Sequence, residues 1–552
     1  MTAPASDIGA FAARYQLTRG FRPYLLLTLL CLVLYAPGLA SLPPMDRDEA
    51  RFMQATKQMI ETGDYVNIRF QEEARNKKPV GAYWLQAAAV KLTGAGLTAP
   101  WVYRLPSALA AWCAVLTTLV FGRRLFGAPA GLAAGAMLAT TLVVVAEAHL
   151  AKTDAALLCA TTLCLAGLGS VYTTPTGRIG AALLFWSALA AGVLIKGPVI
   201  VAVAGATGAA LCLADRDLKW VWRLYPVAGI ALLAALVAPW LLMQSSIGAS
   251  FVNASFQEDI LPKLVGGQEG HGALPGTHLL LGVVTAWPWS VLAPFAVIAA
   301  WRKRAEPAVR FCLAWLVPAW IVFELVPTKL PHYTLPLMPP LMLLIAALLR
   351  DLPDVRGLLG GRWSLGWRIA WSWVCIVLGV VALVAARRFG DGSVIPATVA
   401  AVIMLGSGLY GMTLLGRTGA AQAVLGTGAA SLAFYVTMFG AELPRLPRLA
   451  LSDRIAVHAI PRMTEPMVLA GYHEPSAIFL LGTKTILSDA KGAADHLVAH
   501  PAALAVVPVA ALDLVRETLA AGGRNLVQIQ EFGGYNYSRG QPERLALITT
   551  GS

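Results

Sequence analysis

Runs of about twenty mostly apolar residues recur along this chain, and a run of that length is what an α-helix needs to cross a membrane. Roughly thirteen of them lie between residues 22 and 441, some joined by very short turns. A chain built this way buries its spans in lipid. Its charge content agrees, because only 13% of the 552 residues are charged, where a soluble protein carries about 25%. The formal charge of +13 would suggest nucleic acid in a soluble chain, but the basic residues here collect between apolar runs, as membrane orientation requires. Nucleic acid is therefore excluded as a partner. The expected fold is a polytopic α-helical membrane protein with about 13 transmembrane helices over residues 1–441 and a small C-terminal α/β domain over 442–552.

Orientation follows from which loops hold the Lys and Arg. One alternating set carries Arg123 and Arg124, then Arg216, Lys219 and Arg223, then Arg302, Lys303, Arg304 and Arg310, and is read as cytoplasmic, with the N-terminus inside. The long first loop (43–100), the loop at 245–276 and the polar tail then all fall on the outer side. Loops stay short unless they do something, so three long polar segments on one side locate function there. In the tail, MVLAGY, TKTIL, AALAVVPV, NLVQIQEF and ERLALITT read as strands between helical patterns, without a phosphate-cradling glycine motif or a nucleophile elbow. The seven cysteines all lie in or beside apolar runs and indicate no disulfide framework or zinc cluster.

The first outer loop brings the densest chemistry. Asp46, Asp48 and Glu49 stand just past the first span, where carboxylates deprotonate an acceptor, orient a group or hold a divalent cation. The stretches EARFMQATKQMI and AYWLQAAAVKL have the periodicity of amphipathic helices lying in the membrane interface. Asp48 and Glu49 equally suit a first helical turn, complementing its dipole. A second acid, Asp154, falls at the outer end of a span beside Glu147, His149 and Lys152. Arg51, Lys77, Lys78, Lys196 and Lys329 are expected on the outer side against the orientation rule, and an anionic lipid phosphate or pyrophosphate would account for them. The glycine-rich loop holding Glu269 and His271 reads as a flexible gate, and those two side chains, with Asp48, are the candidates for any metal.

Taken in order, D-E-A-R-F at 48–52, ETGDYV, NKKPVGAYWL, Asp154, KG at 196–197 and K-L-P-H-Y at 329–333 resemble the bacterial lipid-A aminoarabinose transferases and the protein-mannosyltransferase-like group of GT-C glycosyltransferases. The likeness covers most of the membrane portion, with Phe52 standing where the family usually has Tyr. It implies a GT-C-like catalytic membrane domain. Its donor would be a sugar linked to polyprenyl (undecaprenyl) phosphate, and its acceptor lipid A or another envelope glycan. Transfer would take place at the periplasmic face of a bacterial inner membrane. Carried over by position, the resemblance makes Asp48, Glu49 and Asp154 the catalytic acids. It places Arg51, Lys78, Lys196 and Lys329 near the donor phosphate and Tyr333 in the family's K-L-P-x-Y turn; Tyr333 with His332, and Glu269 with His271 from the glycine-rich loop, whose sequence differs from the family's, are the candidates for a substrate gate or acceptor site. No cofactor is indicated beyond a possible divalent metal. The competing class is a secondary transporter or flippase of a lipid-linked or anionic substrate, for which many spans and intramembrane charges are also expected. The chain lacks that class's paired broken helices in two matching halves.

Overall fold

The computed structural model describes residues 7–174, 179–245, 251–257, 261–262, 272–352 and 355–551. Each of the apolar runs carries helix, and the chain is a multi-pass membrane protein. Among the described residues, nine helices are long and apolar enough to cross a membrane; counting the bent pair Ala128–Ala139 and Leu142–Ala148 as one span makes ten. That is fewer than the roughly thirteen runs, for local reasons. Arg22–Tyr35 stops after 14 residues ahead of Pro37, and Val199–Asp215 has 17. The run at 277–300 divides into Thr277–Thr285 and Ala293–Arg302, with Pro288 and Pro294 near the break.

Helices of the bundle approach closely through small residues. A Cβ on Gly131 would lie 2.6 Å from the Leu119 carbonyl oxygen, so the bent pair and the Pro100–Phe126 span meet backbone to backbone there. Trp222, Trp301 and Trp363 are exposed beside Arg223, Arg302 and Arg362, the pairing of aromatic ring and cation that suits a membrane interface.

The first long loop folds into two helices, Asp48–Thr62 and Gly81–Thr93, around a short antiparallel hairpin of β1 (Arg69–Phe70) and β2 (Glu73–Ala74). Trp84 and Leu85 on the second helix stay exposed, as an interfacial helix requires.

The C-terminal part is a five-stranded sheet of β3 (Val468–Ala470), β4 (Ile486–Ser488), β5 (Ala505–Pro508), β6 (Asn525–Asn536) and β7 (Gln541–Gly551), in the order β4-β3-β5-β7-β6. β3 runs parallel to β4 and β5, while β7 is antiparallel to both β5 and β6. Alternate strand residues face opposite layers. Leu469, Val506 and Leu547 pack on Ile455 and Ala477, and Val468, Val507 and Ile548 pack on Leu497 and Leu519. The strands and the helices Ala490–Ala499 and Leu512–Ala521 fall where the sequence pattern puts them.

Candidate active site

The site is built where the first-loop helices meet the ends of the spans on their own side of the bundle. Glu49, the second residue of the Asp48–Thr62 helix, is buried and accepts a two-pronged bond from Arg104: Nε to Oε1 at 2.8 Å and Nη2 to Oε2 at 2.9 Å. It also accepts the backbone N–H groups of Met45 at 2.9 Å and Ala151 at 2.8 Å. Arg104 is fully buried in the Pro100–Phe126 span and spends its remaining donors on the Leu39, Leu42 and Pro43 carbonyl oxygens. Both charges are thus hydrogen-bonded throughout, the condition under which a buried pair is tolerated. Glu49 ties the start of the Asp48 helix to the segment that carries Asp154. It does not line the cavity described below.

Asp154 opens its own span and lies in a cluster of opposite charges. Lys196 Nζ donates to its Oδ1 at 2.6 Å, Lys152 Nζ stands 3.8 Å from Oδ2, and His332 Nε2 is 3.7 Å from Oδ1. Lys152 also meets Glu147 at 3.0 Å, and His332 Nδ1 is 3.9 Å from the same Glu147 oxygen. Burial works against the charge on Lys152, but Glu147 and Asp154 outweigh it and hold the amine protonated above the usual lysine range. Asp48 is exposed at its helix N-terminus and interacts electrostatically with Lys152, His332 and Tyr83. Asp154 lines the cavity described next, and Asp48 lies near that charge cluster without being among the lining residues.

That site opens into a cavity of about 660 Å³. Its body is apolar, formed by Leu157, Val193, Trp240, Leu241, Phe323 and Val326 among others, and its polar end holds Lys77, Lys78, Asp154, Lys196, His332 and Tyr333. Lys196 Nζ lies 5.7 Å from the centre of the Tyr333 ring, which His332 meets edge-on. The shape and charge match an amphiphile with an anionic head and a long hydrocarbon tail.

The remaining residues expected from sequence fall elsewhere. Lys329 is buried, with its amine donating to the carbonyl oxygens of Glu324, at 2.9 Å, and Val326. These are carbonyl acceptors at a helix end, which attract a cation, so Lys329 shapes the turn presenting His332 and Tyr333 and is not among the cavity-lining residues. Arg51 is half-exposed one turn beyond Asp48, near Asp46. Glu269 and His271 lie outside the described residues, and among the described residues no group of three or more His, Cys, Asp or Glu is arranged to hold a metal. Arg104 escaped the sequence reading. Its signal was a cation near the end of an apolar run, which has to find an acid.

Asp46, partly buried against the C-terminal sheet domain, titrates at about 7, pushed up by burial, with Glu474 adding and the Ser476 hydrogen bonds and Arg51 opposing. Its ordinary value is 3.8, so between 3.8 and about 7 the folded chain binds the extra proton and stability falls as pH rises, levelling above about 7. Thermal melting of the purified protein is expected to show this decline, and Asp46→Asn is expected to flatten it. A wild-type slope that persists in Asp46→Asn would show that another group titrates.

Comparison with known proteins extends this picture. Residues 77–243 match the family model described as dolichyl-phosphate-mannose-protein mannosyltransferase. The solved structure of ArnT from Cupriavidus metallidurans bound to undecaprenyl phosphate superposes with a TM-score of 0.75 at 20% identity, covering 96% of this chain and 98% of that one. This chain has the GT-C fold of that transferase. The oligosaccharyltransferase of Archaeoglobus fulgidus is a more distant likeness, with a TM-score of 0.52 at 11% identity over 96% of this chain and 74% of its own. In sequence, the undecaprenyl phosphate-α-4-amino-4-deoxy-L-arabinose arabinosyl transferase of Pseudomonas paraeruginosa is 30% identical over 57% of this chain. That match spans 58% of the relative's length. The similarly named protein of Aeromonas salmonicida is 27% identical over 70% of this chain and 72% of its own. The resemblance drawn from the motifs is borne out in sequence and in fold.

Proposed function

We propose that the chain is an integral-membrane glycosyltransferase that moves a sugar from a polyprenyl-phosphate donor, of the undecaprenyl type, to lipid A or another envelope acceptor. The basic loops support a cytoplasmic N-terminus, with the site and the C-terminal domain at the periplasmic face of a bacterial inner membrane. The observation that carries the function is the amphiphilic cavity, whose apolar lining is joined by Lys78, Lys196 and the acid Asp154. The names of the relatives point to the same donor class.

In this reading the donor's prenyl chain lies along the apolar wall and its phosphate meets Lys78 and Lys196. The acceptor oxygen attacks the anomeric carbon as the bond from that carbon to the phosphate oxygen breaks. The leaving electron pair goes to polyprenyl phosphate, whose growing charge the lysines stabilise. Asp154 keeps Lys196 in place. An acceptor that is itself a phosphate is already anionic, so Asp48 orients it; a hydroxyl acceptor gives up its proton to Asp48. A transporter would leave the sugar–phosphate bond intact.

Mass spectrometry of lipid A and other envelope glycolipids tests this in cells carrying the wild-type chain, Asp48→Asn or no copy, at matched expression. A sugar-sized increment is expected with wild type alone. Identical spectra from all three strains would exclude these acceptors and turn the assignment toward transport or a protein acceptor.

A further inference from the structure

Arg47, the residue before Asp48, has φ 69° and ψ −118°, a backbone conformation that residues with side chains avoid. Such a conformation persists only where surrounding contacts over-determine it. Here they come from the C-terminal sheet domain. The Asp46 N–H donates to the Tyr537 hydroxyl at 2.5 Å, Asp46 Oδ1 accepts the Ser476 N–H at 3.0 Å, and Arg47 Nη2 donates to the Ser538 carbonyl oxygen.

The grip continues along the helix that Asp48 starts. Thr483 Oγ1 accepts from Gln54 Nε2 at 2.8 Å and donates to Glu61 Oε2 at 2.6 Å, joining two helix positions through one hydroxyl. Lys57, buried, donates to the Phe479 carbonyl oxygen at 2.8 Å, and burial pulls its amine below the usual lysine range while Glu61 opposes. The Phe479 ring is fully buried in one apolar cluster with Ala50, Met53 and Tyr103, so the same contact reaches the Arg104 span. Buried polar groups of this kind are costly to expose, which opposes repeated undocking.

We infer that the C-terminal sheet domain is a fixed part of the catalytic unit: it holds the strained turn that aims Asp48, with Tyr537 as a positioning residue, and stays docked through turnover. This rests on the transferase reading. It assigns the domain a structural hold on the site in place of a gate that lifts.

The test uses the full chain in lipid nanodiscs, comparing wild type with Tyr537→Phe, which removes only the hydroxyl that receives the Asp46 N–H. Hydrogen exchange of peptides covering residues 45–52 reads the turn without reference to catalysis, and steady-state kinetics read its consequence. Tyr537→Phe is expected to speed exchange there about fivefold and lower kcat about tenfold, leaving KM for the donor within about twofold. Thr483→Val is expected to loosen residues 52–62 in the same way, and Thr483→Ser to restore them. Unchanged exchange, or faster exchange with an unchanged kcat, overturns the proposal. So does a reversible thiosulfonate bridge between Gln54→Cys and Thr483→Cys that stops turnover until reduced; the bridged protein is expected to keep at least about half its activity. If the wild type transfers no sugar, the transferase reading fails while the exchange result still decides whether the domain holds the turn.

Discussion

Asp154→Asn is expected to lower sugar transfer by about 10²- to 10³-fold, mostly in kcat, while the protein still folds. Asp154 sets where Lys196 points, through a 2.6 Å bond, and Lys196 lines the cavity, where the proposed reaction puts the leaving phosphate. The amide keeps the shape and loses the charge, so Lys196 is freed to wander and the balance with Lys152 and Glu147 is upset. Lys196→Met is expected to cost about as much, and the double variant little more than either single, because both remove one working pair. Rates from purified variants with a synthetic lipid-linked sugar check this. Fully additive losses would mean that the two side chains act separately.

Arg104→Met is expected to have the largest effect on stability. The guanidinium is fully buried with five hydrogen bonds, two to Glu49 and three to carbonyl oxygens of residues 39–43. Its removal strands the Glu49 carboxylate out of water, a loss of about 3–5 kcal/mol when one partner of a buried pair is taken away. Tm in detergent is expected to fall sharply. Adding Glu49→Leu is expected to recover only part of that loss: it removes the unpaired charge but leaves the backbone groups that the pair had bonded without those partners. Activity is not expected to return with stability, because Glu49 also binds the Ala151 N–H and so joins the Asp48 helix to the Asp154 segment. An unchanged Tm in Arg104→Met would show that the pair does not hold the fold.

Hydropathy made the membrane helices legible because lipid demands the same long apolar run from any span. Strand patterns in the tail were legible for a related reason: residues such as Leu469 and Val468 face opposite buried layers, which leaves short continuous apolar runs. Interruptions were harder to place. The bend at Thr140 and Thr141 and the break near Pro288 depend on contacts from elsewhere, such as the Leu142 N–H bonding the Trp287 carbonyl oxygen. Charged residues divided in the same way. Charges beside spans singled out Asp154 and Lys196, which the structure pairs at one cavity, but which charge meets which is decided by packing. Lys329 and Arg104 illustrate the two outcomes: one was expected at phosphate and caps a helix end, the other went unnoticed and anchors the acidic turn.

The most direct measurement mixes the purified chain in nanodiscs with a polyprenyl-phosphate sugar and lipid A, and follows both products by mass spectrometry. Equal amounts of glycosylated acceptor and free polyprenyl phosphate are expected, with neither formed by Asp154→Asn above background. Donor that stays intact, or that crosses the bilayer without losing its sugar, would contradict the transferase assignment.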